Sequence, residues 1–162
     1  MFPMIYIFDL DHTVIDSSHR QLTLADGSLD LDAWKENCTR DKIFQDSLLP
    51  LADEMRDLIA KNRNVMICTA RVLSRDDLDF LDYHGLNCAV VLSRREGDSS
   101  RDHLLKEKLI REYCASQFMS FARFCSRAVM FDDNKNVNAH LASFGIKTNC
   151  AIRANNMLRS VA

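Results

Sequence analysis

Two carboxylates, Asp9 and Asp11, stand two residues apart in the stretch IFDLDHTVIDSSHR, directly after an apolar run. Like charges held this close repel, so the pair needs an offsetting cation. Inside a strand the two side chains would point to opposite faces. Past a strand's end, where the backbone turns, one can meet a reacting atom while the other reaches a leaving group. That placing suits a carboxylate nucleophile working with a carboxyl general acid/base. A second pair, Asp132 and Asp133, adds further negative charge. A hard divalent ion with oxygen ligands, Mg²⁺, would offset the repulsion. Thr69 offers a hydroxyl to a phosphate oxygen, and Arg71 with Lys106 or Lys108 would complete the neutralisation of a phosphoryl group. A metal, cations and a hydroxyl together suit phosphoryl transfer, where positioning and charge stabilisation do most of the catalysis.

These residues need elements that bring them together. Apolar runs rich in β-branched and aromatic residues fall at 4–8, 65–69, 89–92, 128–131 and 148–152. Between most of them lie helical patterns: 48–61 with Pro50 in its first turn, 75–84 capped by Ser74 and stopped by Gly85, 101–113, and 136–144 ending at Gly145. Strands alternating with helices predict an α/β fold: a Rossmann-like parallel sheet sandwiched by helices. Sites in such sheets form beyond the carboxyl ends of the strands. Asp9 and Asp11 follow the first strand, Thr69 and Arg71 end the second, residues 93–98 the third, and Asp132 to Asn134 the fourth. Residues 16–47 interrupt the alternation with a polar stretch around Trp34, which reads as a small flap over the site. The tail 154–162 is weakly patterned, and residues 1–162 read as one domain.

The motifs DLDHT (9–13), CTAR (68–71), Lys106 and FDDN (131–134) resemble the four ordered motifs of the haloacid dehalogenase superfamily of phosphohydrolases. The resemblance implies that Asp9 attacks phosphorus and forms an aspartyl-phosphate, and that Asp11 protonates the leaving oxygen and then activates water. It implies that Thr69 binds the phosphoryl group and that Lys106 steadies Asp9 and the phosphate. Mg²⁺ would be held by Asp9 and Asp132, with Asp11 lending its backbone carbonyl and Asp133 supporting the metal's water shell. A narrower likeness rests on Arg20, Arg71 and RREGDSSRDHLLKEKLI (94–110), which resemble the phosphatase half of bacteriophage polynucleotide kinase–phosphatases. It implies substrate-site roles for Arg20, Arg71 and Asp102. No G-x-x-x-x-G-K-[ST] motif occurs, so no kinase half accompanies it.

The resemblance therefore points to a Mg²⁺-dependent phosphomonoesterase acting on phosphorylated nucleic-acid ends, foremost 3′-phosphates. The alternative is the same chemistry on free nucleoside monophosphates, and a third is a non-catalytic nucleic-acid-end binding domain. A phosphoacceptor receiver fits poorly, because its carboxylate would sit on a middle strand. A binding domain would be expected to have lost Asp9 or Asp11. His12 stands where most of the superfamily has glycine.

Composition narrows the rest. Hydrophobic residues make up 47% and charged residues 27% of the 162, as in an ordinary globular protein. The net charge of -2 supplies no general basic field of the kind a duplex-DNA binder carries. The six cysteines are scattered without a C-x-x-C pair and read as free thiols in a reducing compartment. MFPMIYIF reads as a first strand and not a signal peptide, and no apolar run is long enough to span a membrane. The expectation is a cytoplasmic enzyme, in the host cytoplasm if phage-encoded, with no membrane and no obligatory protein partner.

Overall fold

A computed structural model describes residues 2–162. Five parallel strands form the sheet: β1 (Ile5–Phe8), β4 (Asn64–Thr69), β5 (Val90–Ser93), β6 (Ala128–Asp132) and β7 (Lys147–Cys150), in spatial order β5-β4-β1-β6-β7. The chain runs outward from β1 to the β5 edge, then crosses back and runs outward to β7. The order therefore reverses beside β1, and the crevice between β1 and β6 is the topological switch point. Phe8 is level with Ile67 on one side and Phe131 on the other. Its ring stacks on that of Phe131, centroids 5.0 Å apart.

The two-residue period of the strands sorts the core into two layers. Ile5 and Ile7 of β1, Met66 and Cys68 of β4, and Ala128 and Met130 of β6 face one side. They pack there on α5 (Asp102–Ser116), α6 (Phe121–Cys125) and α7 (Lys135–Ala142). Phe8, Val65 and Ile67 face the other side. That layer is covered by α3 (Leu51–Ala60), α4 (Arg75–Tyr83) and α8 (Ala151–Ser160). Counting on by twos, Asp9 and Asp132 are aimed at the α5 layer, so the helix that must neutralise them is already fixed by strand parity.

Local chemistry sets the helix ends. Ser74 Oγ accepts from Asp77 N, and the Asp77 carboxylate accepts from Ser74 N at 2.8 Å, a reciprocal capping box that starts α4. Asn134 caps α7 by accepting from Asn136 N at 2.9 Å.

The segment expected as a flap is built on a two-stranded antiparallel base, β2 (Ile15–Asp16) with β3 (Ser47–Leu48). It rises through a 3₁₀ turn (Ser18–Arg20), α1 (Leu31–Glu36) and α2 (Arg40–Ile43). The C-terminal expectation needs correcting. The last strand stops at Cys150, and the chain turns directly into α8, so residues 151–160 are helical where the sequence read as strand and patternless tail. The inner face of α8 carries Ala151 and Asn155, the latter a buried amide, while Ile152 and Met157 lie exposed. Asn155 Oδ1 accepts from Leu51 N at 2.8 Å, and its Nδ2 donates to Thr13 O at 2.9 Å. One polar side chain thus clips α8 to the start of α3 and to the loop after β1.

Replacing Asn155 with Ala leaves a buried N–H and a buried carbonyl without partners. We expect a loss of about 2 kcal/mol in denaturant unfolding. A loss below ~0.5 kcal/mol would show that the clip does not hold the loop.

Candidate active site

The loop after β1 turns tightly. Thr13, Val14 and Ile15 each donate their backbone N–H to Leu10 O, and His12 adopts a left-handed φ of 61°. That conformation costs a non-glycine residue roughly 1–2 kcal/mol. The turn carries Asp9 and Asp11 apart, each to its own set of partners.

Asp9 is buried, and both its oxygens are engaged: Lys106 Nζ donates to Oδ1 at 2.9 Å and Thr13 Oγ1 to Oδ2 at 3.2 Å. The same ammonium donates to Asp132 Oδ2 at 2.6 Å. Lys106 shares its helix face with the buried Leu105, Leu109 and Ile110, whereas Lys108 turns outward to Asp98. Burial alone would discharge the ammonium. The two carboxylates reverse this and hold its pKa well above the ordinary value.

Asp9, Asp132 and Asp133 bring one oxygen each within 4.8 Å of one another. Burial and the neighbouring Asp9 carboxylate push Asp132 up to about 6. Burial, then Asp9 and Asp132, push Asp133 up to about 7. Three carboxylates against one ammonium leave two negative charges, which is what one divalent ion offsets. The all-oxygen, carboxylate-rich donor set suits a hard cation such as Mg²⁺. Oxygen donors and unbalanced charge both fit the ion.

Asp11 faces a different cation. Arg71 Nε donates to its Oδ2 at 3.0 Å, a second guanidinium nitrogen reaches Oδ1, and Ser17 Oγ donates to Oδ1 at 2.6 Å. Burial would raise the Asp11 carboxyl, but Arg71 beside it holds it below the usual carboxylate range. Arg71 is itself anchored by Asp77 at 2.7 Å, so the capping box of α4 also aims the guanidinium. Thr69 Oγ1 accepts from Arg71 N at 3.1 Å, which leaves the hydroxyl hydrogen free to donate.

Two residues expected to touch substrate are each engaged by a protein partner. Arg20 is 1% exposed, and its Nε and Nη2 donate to the two oxygens of Asp46 at 2.9 and 2.8 Å. The Trp34 ring lies 4.4 Å from its guanidinium carbon. It is a buried ion pair fastening the flap, with Asp46 as the partner that no local pattern announced. Asp102 accepts from Arg94 at 2.9 Å, and that arginine also grips the carbonyls of Ala70, Asp98 and Ser100. The pair ties the start of α5 to the loops after β4 and β5. Trp34 also lies 5.4 Å from the Arg71 guanidinium, so it packs against cations.

Comparison with known proteins completes the picture. A family model described as bacteriophage T5 5′-deoxynucleotidase matches residues 1–162. The 5′-deoxynucleotidase of Escherichia phage T5 is 37% identical over 177 aligned positions, covering 95% of this chain and 69% of that protein. The chain belongs to this family. Solved structures with the same fold include a haloacid dehalogenase-like hydrolase from Streptococcus pneumoniae, with TM-score 0.61 and 13% identity over 91% of this chain and 84% of that one. A superfamily hydrolase of subfamily IA from Geobacter sulfurreducens gives 0.64 and 13%, over 92% and 89%. The Pnkp1/Rnl/Hen1 RNA repair complex gives 0.59 and 19%, over 91% of this chain and 42% of that chain. The chain thus shares the α/β sheet of the haloacid dehalogenase-like hydrolases. Among the described residues no helix is long and apolar enough to cross a membrane.

The raised carboxyls have a measurable consequence. In the metal-free protein Asp132 and Asp133 keep protons up to about 6 and about 7, whereas the ordinary value is 3.8. Between these limits the folded state binds protons that the unfolded state has released. Its stability therefore falls as pH rises through the folded values. Melting temperatures in a chelator should decline from pH 5 to pH 8, and excess Mg²⁺ should flatten that decline. No decline in the chelator would exclude the raised carboxyls, and an equal decline with and without Mg²⁺ would show that the ion does not bind them.

Proposed function

We propose that the chain is a Mg²⁺-dependent nucleotidase that removes the 5′-phosphate of free deoxynucleoside monophosphates. The match to the T5 5′-deoxynucleotidase family along residues 1–162 carries this reading over the polynucleotide 3′-phosphatase one. Likeness to the RNA repair complex is one of fold, at 19% identity.

The site's own groups suit the reaction. The Asp9 carboxylate attacks phosphorus while the bond to the nucleoside oxygen breaks, and Asp11 gives its proton to that departing oxygen. Water then attacks the aspartyl-phosphate as Asp11 takes back a proton, releasing inorganic phosphate and restoring Asp9. Lys106 orients Asp9, because its ammonium is committed to Oδ1. The Thr69 hydroxyl, with its hydrogen free, donates to a phosphoryl oxygen. Arg71 holds Asp11 ionised in the free protein. A phosphate dianion arriving beside it opposes the guanidinium and lets the carboxyl take up a proton. Asp9, Asp132 and Asp133 would hold Mg²⁺, with the Asp11 carbonyl as the superfamily resemblance implies. Bound there, the ion supplies charge stabilisation for the phosphoryl oxygens. Arg20 and Asp102 contribute by fixing the flap and the α5 loop around the site.

A substrate panel tests the reading. Phosphate release should favour 5′-deoxynucleoside monophosphates over a 3′-phosphorylated oligonucleotide by more than about tenfold in kcat/KM, an energy difference of ~1.4 kcal/mol. The opposite ranking would restore the polynucleotide reading. Asp9→Asn should lower turnover by at least about a thousandfold, since an amide forms no aspartyl-phosphate. Activity near that of the unaltered protein would refute the covalent route.

A further inference from the structure

Asp11 has a second set of partners besides Arg71. Ser17 is fully buried, and its Oγ lies 2.6 Å from Asp11 Oδ1. Gln21 Nε2 lies 2.8 Å from Ser17 Oγ, and His12 Nε2 lies 3.0 Å from Gln21 Oε1. The four side chains make one unbroken line of hydrogen bonds that starts on the left-handed residue of the turn and ends on the carboxylate.

The charge of Asp11 dictates the direction of the line. A carboxylate paired with Arg71 can only accept, so the Ser17 hydroxyl must donate to it. Ser17 Oγ must then accept from elsewhere, and the Gln21 amide N–H is the donor that reaches it. That fixes the amide with Oε1 toward His12, whose Nε2 must carry a hydrogen. Each member sets the orientation of the next: His12 the amide, Gln21 the hydroxyl, Ser17 the carboxylate.

We propose that His12, Gln21 and Ser17 are positioning residues for Asp11, and that they decide which of its oxygens can deliver a proton. The proposal rests on the reading of Asp11 as the acid. Oδ1 already receives two hydrogens, from Ser17 and from an Arg71 guanidinium nitrogen, so an acidic proton has room only on Oδ2. Oδ2 accepts from Arg71 Nε in the free protein, and it becomes the donor to the departing oxygen when substrate enters. The relay also accounts for a histidine at the left-handed turn. Glycine would adopt φ 61° without strain, but it has no side-chain N–H to set the amide.

The test separates proton delivery from general damage by changing the leaving group. A nucleoside oxygen must be protonated as it departs, whereas p-nitrophenolate leaves without a proton. Release of the alcohol or phenol in a single turnover reads the first chemical step alone. Ser17→Ala should slow release from a deoxynucleoside monophosphate by about tenfold or more, and Gln21→Leu and His12→Gly by less. On p-nitrophenyl phosphate all three should stay within about threefold of the unaltered protein. Gln21 is only half-buried, so its replacement keeps the test valid if the buried Ser17 proves necessary for folding. Equal losses on both esters, or no loss on either, would overturn the relay while leaving the phosphatase reading intact. An unaltered protein that cleaves neither ester would bring down that reading and the relay with it.

Discussion

The buried ammonium of Lys106, held between Asp9 and Asp132, is the interaction on which the rest of the site depends. Asp9 and Asp132 end adjacent strands at the switch point, and strand parity aims both at the same layer. Neither could be buried there as an isolated charge, since desolvation would protonate it. The ammonium could not be buried alone either. Each charge is tolerable only because the others are in place, and that mutual dependence ties the register of α5 to the β1–β6 ladder. The ammonium balances one carboxylate, not three. Asp132 and Asp133 are left with raised proton affinity, poised for a divalent cation.

Much of this was legible in the sequence because parallel sheets impose a simple rule: polar residues directly after apolar runs gather at one end. Asp9, Asp132 and Lys106 come together as their motif order implied. Two lysines on one helix could not be ranked by their nearest neighbours, since each stands between a leucine and Glu107. Position against the apolar face decides it, with Lys106 beside Leu105 and Lys108 a half-turn away from that face. Arg20 is a different case. The resemblance implied a substrate-site role, and its protein partner Asp46 lies 26 residues along, on the far leg of the flap. Pairings that close a long loop leave no periodic trace. Asp77 could have been found: the Ser74–Asp77 capping box was readable, and only its second role, anchoring Arg71, required coordinates. The C-terminal helix leaves little pattern, because its buried face carries Asn155 while Ile152 and Met157 are exposed.

The division of labour between the two buried arginines follows from what each carboxylate partner is free to do. Asp46 has no role beyond Arg20 and His19, so that pair can be fully neutralised and sealed under Trp34. Asp11 cannot be sealed in this way if it is to exchange protons. Its side chain accordingly keeps partial exposure, 24% against 0% for Asp46. The Arg71 cation is also shared with Asp77, which weakens its exclusive hold on Asp11. The same kind of ion pair thus serves as a fastener in one place and an adjustable bias in the other, and solvent access distinguishes them.

That contrast also locates where the flap can move. Its base is fixed by the β2–β3 pairing and by Arg20–Asp46, and α2 is tied to α4 through Arg40 to Asp76 and Asp79. The exposed Arg40 pairs add little, but breaking the buried pair would leave a charge without a partner at a cost of about 3–5 kcal/mol. Rigid-body opening of the whole flap is therefore disfavoured. Residues 21–31 are held differently, by the Thr23–Leu29 bridge and a few backbone bonds around Gly27. Their leucines Leu22, Leu24, Leu29 and Leu31 point into solvent. Motion is cheapest where burial is least, so this outer loop is the part that can adjust. Gln21 stands at the boundary, bonded to Ser17 on the fixed side and followed by the adjustable loop.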